Sequence, residues 1–136
     1  VILLLGGVWY SDNATKFDKT LISNKGIHWH TKLEIYINGK RKEIPANIGL
    51  VGRHSPIHTH KPNGTIHIEY EGIVRKDDIK LGSFFKIWGK KFNSNQLFEY
   101  KNGKSGELHM FVNGKENKEF DNYSMKNGDI IILRYK

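Results

Sequence analysis

The pair Asn-Gly recurs along this chain, at 38–39, 63–64, 102–103, 113–114 and 127–128, and no other feature constrains its fold as strongly. Both residues tolerate positive φ, so the pair closes tight hairpin turns whose twist matches that of the strands they join. With fourteen glycines in 136 residues the chain reverses direction often, and a fold rich in short strands is expected. The length suits one domain without disulfides. Apolar residues at 38% and aromatics at 12% are enough to fill its interior.

Alternation then assigns faces. Residues 27–49, IHWHTKLEIYINGKRKEIPANIG, read as a strand, the Asn38-Gly39 turn and a shorter return strand ending at Pro45. Side chains two apart on a strand share a face, which puts Ile27, Trp29, Leu33, Ile35 and Ile37 on one side and His28, His30, Glu34 and Tyr36 on the other. The turn KPNG (61–64) links IHTH to TIHIEY (65–70), where Ile66, Ile68 and Tyr70 face one way and His67 and Glu69 the opposite way. In the stretch 77–92, DDIKLGSFFKIWGKKF, Leu81, Phe84, Phe85 and Trp88 fall at helical spacing, with acidic residues ahead and Gly89 and lysines behind. This predicts one amphipathic helix near 79–89 that packs Phe84, Phe85 and Trp88 against a face of the sheet. Residues 107–136 read as a strand, the Asn113-Gly114 turn, a connecting stretch, the Asn127-Gly128 turn and a closing strand with Ile130, Ile131, Ile132 and Leu133. The order is hairpin, strand, helix, strand, strand, an α+β arrangement dominated by β structure.

The opening VILLLGGVWY (1–10) is apolar and reads as the end of a membrane anchor or signal-like segment, with Trp9 and Tyr10 placed as an interfacial aromatic pair. Ten residues are too few to span a bilayer core of roughly 30 Å, and a buried first strand is the alternative reading. Residues 11–26 read as a polar linker, and 27–136 as a single domain. Sequons at Asn13, Asn63 and Asn122 suit an extracytoplasmic location, either membrane-anchored or secreted. Twenty-two Lys and Arg against fourteen Asp and Glu give a net charge of +8, which suits an acidic protein or lipid surface. The basic residues come in short groups such as 39–42 and 89–91 with no arginine-rich stripe, which disfavours nucleic acid as the partner.

The INGK…IP hairpin, the LGSFFKIWG helix and the terminal FVNGKE…MKNGDIIILRY resemble a β-grasp, or ubiquitin-like, domain. The combination HWH…IPANIG…HTH…GTIHIE…LGSFFKIWG also resembles uncharacterised extracytoplasmic His-rich domains of archaea and bacteria, often placed after a membrane anchor. The likeness covers residues 27–136. It implies a β-grasp-like sheet with one central helix, placed after a membrane anchor.

The histidines carry the functional reading. His28-Trp29-His30 and His58-Thr59-His60 are both His-x-His pairs, and on a strand such residues lie about 6–7 Å apart on one face, able to hold one ion from two nitrogens. His67 adds a third element, and Glu69 follows two residues on. The chain has no cysteine, so a metal site must use imidazole and carboxylate, a donor set that favours copper or zinc. The expected ligands are His28, His30, His58, His60 and His67. The expected role is metal handling, or service as an accessory subunit of a membrane complex, with no catalytic residue assigned. Two alternatives stand beside it: a metal-dependent enzyme with Glu69 as general base, and an interaction module that docks through its basic surface without metal.

Overall fold

A computed structural model describes residues 18–136. The apolar run 1–10 and the sequon at Asn13 lie outside the described residues. The strands are β1 (Leu21–Ser23), β2 (Ile27–Ile37), β3 (Lys40–Lys42), β4 (Ile57–His58), β5 (Thr65–Tyr70) and β6 (Val74–Arg75), then β7 (Phe92–Asn93), β8 (Gln96–Leu97), β9 (Tyr100–Lys101), β10 (Leu108–Val112), β11 (Lys115–Glu116) and β12 (Ile130–Tyr135). Among the described residues there is one α-helix, α1 (Leu81–Trp88), which follows a 3-10 turn at Lys76–Ile79. The fold is α+β and β-rich. No helix among the described residues is long and apolar enough to cross a membrane.

The main sheet runs β11-β10-β12-β2-β5-β4 and is built around β2. The second half of β2 pairs in parallel with β12, from Lys32 with Ile130 to Ile37 with Tyr135, and folds back through Asn38-Gly39 onto β3. Both turn residues have positive φ, 50° and 83°, as a two-residue hairpin of this hand requires. The first half of β2 pairs antiparallel with β5, and β4 closes the edge beyond β5. Leu33, Ile35, Ile66, Ile68, Ile131 and Leu133 are fully buried on one face, as alternation predicts.

Against that core lies α1. Phe84 and Phe85 are buried, and Gly82 lies so close to the 3-10 turn Phe120–Asn122 that a Cβ there would stand 2.8 Å from the Asp121 carbonyl oxygen. The helix stops at Gly89, in the left-handed conformation, whose N–H returns to the Lys86 carbonyl. Trp88 is less covered than expected: it is only partly buried and packs at the rim of the core, tilted against Phe85 and edge-on against Phe98.

Three further differences have plain causes. Residues 21–23, within the expected linker, form β1 and pair with β6, with Arg75 bonded to Asp18 and Thr20. The return strand β3 ends at Lys42 rather than Pro45, since proline has no N–H to donate to a ladder. Residues 92–101 make a small three-stranded sheet, β7-β8-β9, whose two-residue strands are too short to show alternation.

Candidate metal centre

Cross-strand register assembles the site. On the face of the sheet opposite the core, His28 pairs with Glu69, His30 with His67, and His67 in turn with His58. Three strands thus present a grid of five polar side chains, because residues directly opposite in antiparallel strands stand on the same face about 5 Å apart. Ring centroids are 4.7 Å apart for His30 and His67, 5.5 Å for His58 and His67, and 5.2 Å for His28 and His30.

His60 joins the grid by a different device. β4 ends at His58, so strand pairing alone does not place the second histidine of the pair. Thr59, fully buried between them, is held on both sides by the loop after β3. Its N–H donates to the Ile48 carbonyl (3.0 Å), its carbonyl accepts from Asn47 (3.0 Å), its hydroxyl donates to Pro45 (2.8 Å) and accepts from Ile48 N–H (3.1 Å). Clamped in this way, the segment turns both flanking imidazoles to one side, with ring centroids 4.8 Å apart and His60 4.4 Å from His67.

Four groups converge most closely. One donor atom each from His58, His60, His67 and Glu69 can be chosen so that all lie within 4.8 Å of one another. Three imidazole nitrogens approach the same carboxylate oxygen, Glu69 Oε2: His28 Nε2 at 3.4 Å, His58 Nε2 at 3.6 Å and His67 Nδ1 at 3.9 Å. These separations are long for hydrogen bonds, which peak below about 3.2 Å. They are close to the edge of a tetrahedron around an ion, since bonds of about 2.0–2.1 Å to nitrogen or oxygen set neighbouring donors roughly 3.3–3.4 Å apart.

The donors are also prepared. His58 is buried, and its Nδ1–H donates to the Ser55 carbonyl at 2.8 Å. A carbonyl can only accept, so the proton sits on Nδ1 and the lone pair of Nε2 is aimed at Glu69 and the group around it. Burial, and then the neighbouring His60, His30 and His58, push the pKa of His67 below its usual value. That keeps it in the neutral form a metal requires.

No family model, curated protein or solved structure matches this chain. The chemistry is therefore read from the donors themselves. Three imidazoles and one carboxylate form a group geometrically able to hold a metal ion. The other histidines stand apart. His54 is exposed and outside the group. His109 is clamped between Glu107 and Glu116, each 2.9 Å from one ring nitrogen, and the bond to Glu116 chiefly raises its pKa. With both nitrogens facing carboxylates, it links β10 to β11 and stands apart from the histidine group.

Glu69, a base only in the alternative enzyme reading of the sequence, stands among the four converging groups, and nothing in a lone Glu two residues from a His distinguishes a base from a ligand. Thr59 and Ser55 carry no signal of their own. Their roles rest on contacts with backbone far along the chain or across a turn. The Asn127-Gly128 pair reads from sequence as a simple turn, yet it docks on the site strand: Asn127 Oδ1 accepts the His30 N–H (3.0 Å) and Gly128 N–H donates to the His30 carbonyl (2.8 Å). This covers the stretch of β2 that β12 does not reach.

Proposed function

We propose that this chain is an extracytoplasmic metal-binding domain that holds zinc or copper through His58, His60, His67 and Glu69, acting in metal handling or as an accessory subunit of a membrane complex. The observation that carries the reading is the convergence of four donors from two strands and a clamped loop, with the His58 proton directed away from the ion by Ser55. Glu69 is a ligand in this reading, so it is not free to act as a base, which favours binding over metal-dependent catalysis. The apolar run 1–10 and the exposed Asn63 and Asn122 support a membrane-anchored or secreted location. The β-grasp relation belongs to the same proposal, supported by the order of hairpin, helix and closing strand.

A second reading has its own observation. All three residues of β3, Lys40, Arg41 and Lys42, are exposed, and a basic strip at a sheet margin suits docking on an acidic protein or lipid surface. It is compatible with metal binding and would anchor the domain beside its partner.

Titration with zinc and with copper, on tag-free protein, tests the metal reading. Binding at micromolar or tighter affinity is expected at pH 7.5, and loss of it at pH 5, because protonated imidazole cannot ligate. The double variant His58→Ala/His60→Ala is expected to abolish it. Equal weak uptake by variant and parent would overturn the metal reading in favour of the docking surface.

A further inference from the structure

The geometry points to a second ion position beside the first, formed by His28 and His30 and joined to it by Glu69 acting as a bridging carboxylate. This rests on the metal reading above and extends it from one ion to two.

His58, His60, His67 and Glu69 already supply four donors, the number a tetrahedral shell takes. His28 and His30 are left over, yet they are not scattered. They stand on the same face of the next strand, with rings 5.2 Å apart and register partners that are themselves among the four donors, Glu69 for His28 and His67 for His30. Glu69 lies between the two sets: its Oε2 is 3.4 Å from His28 Nε2 on one side and 3.6 Å from His58 Nε2 on the other. A carboxylate has two oxygens and about four lone-pair sites, enough to serve two ions at once. Ions about 3.5–4 Å apart, sharing such a bridge, form a familiar pairing in proteins.

Exposure separates the two positions. The side chain of His58 is 7% exposed and that of His28 is 67% exposed. The outer position has two nitrogens and a shared oxygen, leaving coordination sites open to water or to a donor from another molecule. An ion there is held more weakly and exchanges faster, which suits receipt from, or transfer to, a second protein or a small chelator.

The backbone of His30 is tied by Asn127 and Gly128, so the outer pair rests on a rigid strand and can be replaced without unfolding the inner site. The test is zinc stoichiometry by elemental analysis and calorimetric titration on the full chain, compared with His28→Ala/His30→Ala and with His58→Ala/His60→Ala. Two zinc ions per chain are expected for the parent, the second at least tenfold weaker, and one for the His28→Ala/His30→Ala variant with the tighter affinity retained. With copper(II) loaded to two equivalents, electron paramagnetic resonance should show two coupled ions, and a single uncoupled signal in that variant. One zinc in both proteins, or one in the parent and none in the His28→Ala/His30→Ala variant, would overturn the second position while leaving metal binding intact. No zinc in the parent would overturn the metal reading itself. Two ions without magnetic coupling would overturn the bridge.

Discussion

Thr59→Val tests how the two histidines of the HTH segment are held, and its effect can be worked from the contacts. Valine has nearly the shape of threonine, so no cavity forms, but the hydroxyl disappears from a fully buried position. Two backbone groups lose their partner: the Pro45 carbonyl, 2.8 Å away, and the Ile48 N–H, 3.1 Å away. Each buried group left without a partner costs about 1–3 kcal/mol. The added buried methyl returns about 0.8 kcal/mol. The net loss is then about 3 kcal/mol, with most of the weight on the two orphaned groups. Release of the 45–48 loop also lets His58 and His60 move relative to each other, and loss of such a supporting contact lowers metal affinity by about 10–100-fold. Urea unfolding of metal-free protein reads the first effect, and zinc titration against a competing chelator reads the second. Thr59→Ser, which keeps the hydroxyl, is the control and should hold affinity within about threefold on the same reasoning. A stability change under about 0.5 kcal/mol would refute the hydrogen-bond account. A large stability loss with unchanged zinc affinity would refute the claim that Thr59 places the histidines.

Phe84→Ala should cost about 3–5 kcal/mol in urea unfolding, as a fully buried aromatic, whereas Trp88→Ala should cost clearly less because its ring is already partly in water. Equal losses would mean that the helix end is better covered than its burial indicates. In metal-free protein, NMR titration should place His67 below and His109 above the ordinary histidine range. The signs for stability are opposite. His109 is favoured when protonated, so its contribution is present below about pH 6.5 and is lost as pH rises through its raised pKa. His67 resists protonation in the fold, so stability falls as pH drops from about 6.5, where the unfolded chain takes up the proton first, toward its lowered pKa. Glu107→Gln/Glu116→Gln should return His109 toward its usual value without affecting zinc uptake; a change in zinc binding would tie His109 to the site.

What the sequence determined by itself is local. Alternation in 27–37 and 65–70 decides which side chains meet the core, because successive residues of any strand point to opposite faces, whatever lies beside them. Helical spacing of Leu81, Phe84 and Phe85, closed by Gly89, settles the helix for the same reason. The two-residue turn at Asn38-Gly39 follows from φ preferences alone. What only the tertiary structure decided is which polar faces coincide. His30 stands opposite His67, and His67 opposite His58, through strand register, a property of pairing between distant segments that no single segment encodes. The placement of Glu69 beside three imidazoles turns on the same register, which brings His28 and His58 to its carboxylate from the strands on either side. His60 reaches the group because residues 45–48 grip Thr59 across a loop, and Asn127-Gly128 guards His30 from nearly a hundred residues away. Hydrogen bonds of that kind leave no trace in local propensity. They form only once the core beneath them has set the distance between the strands.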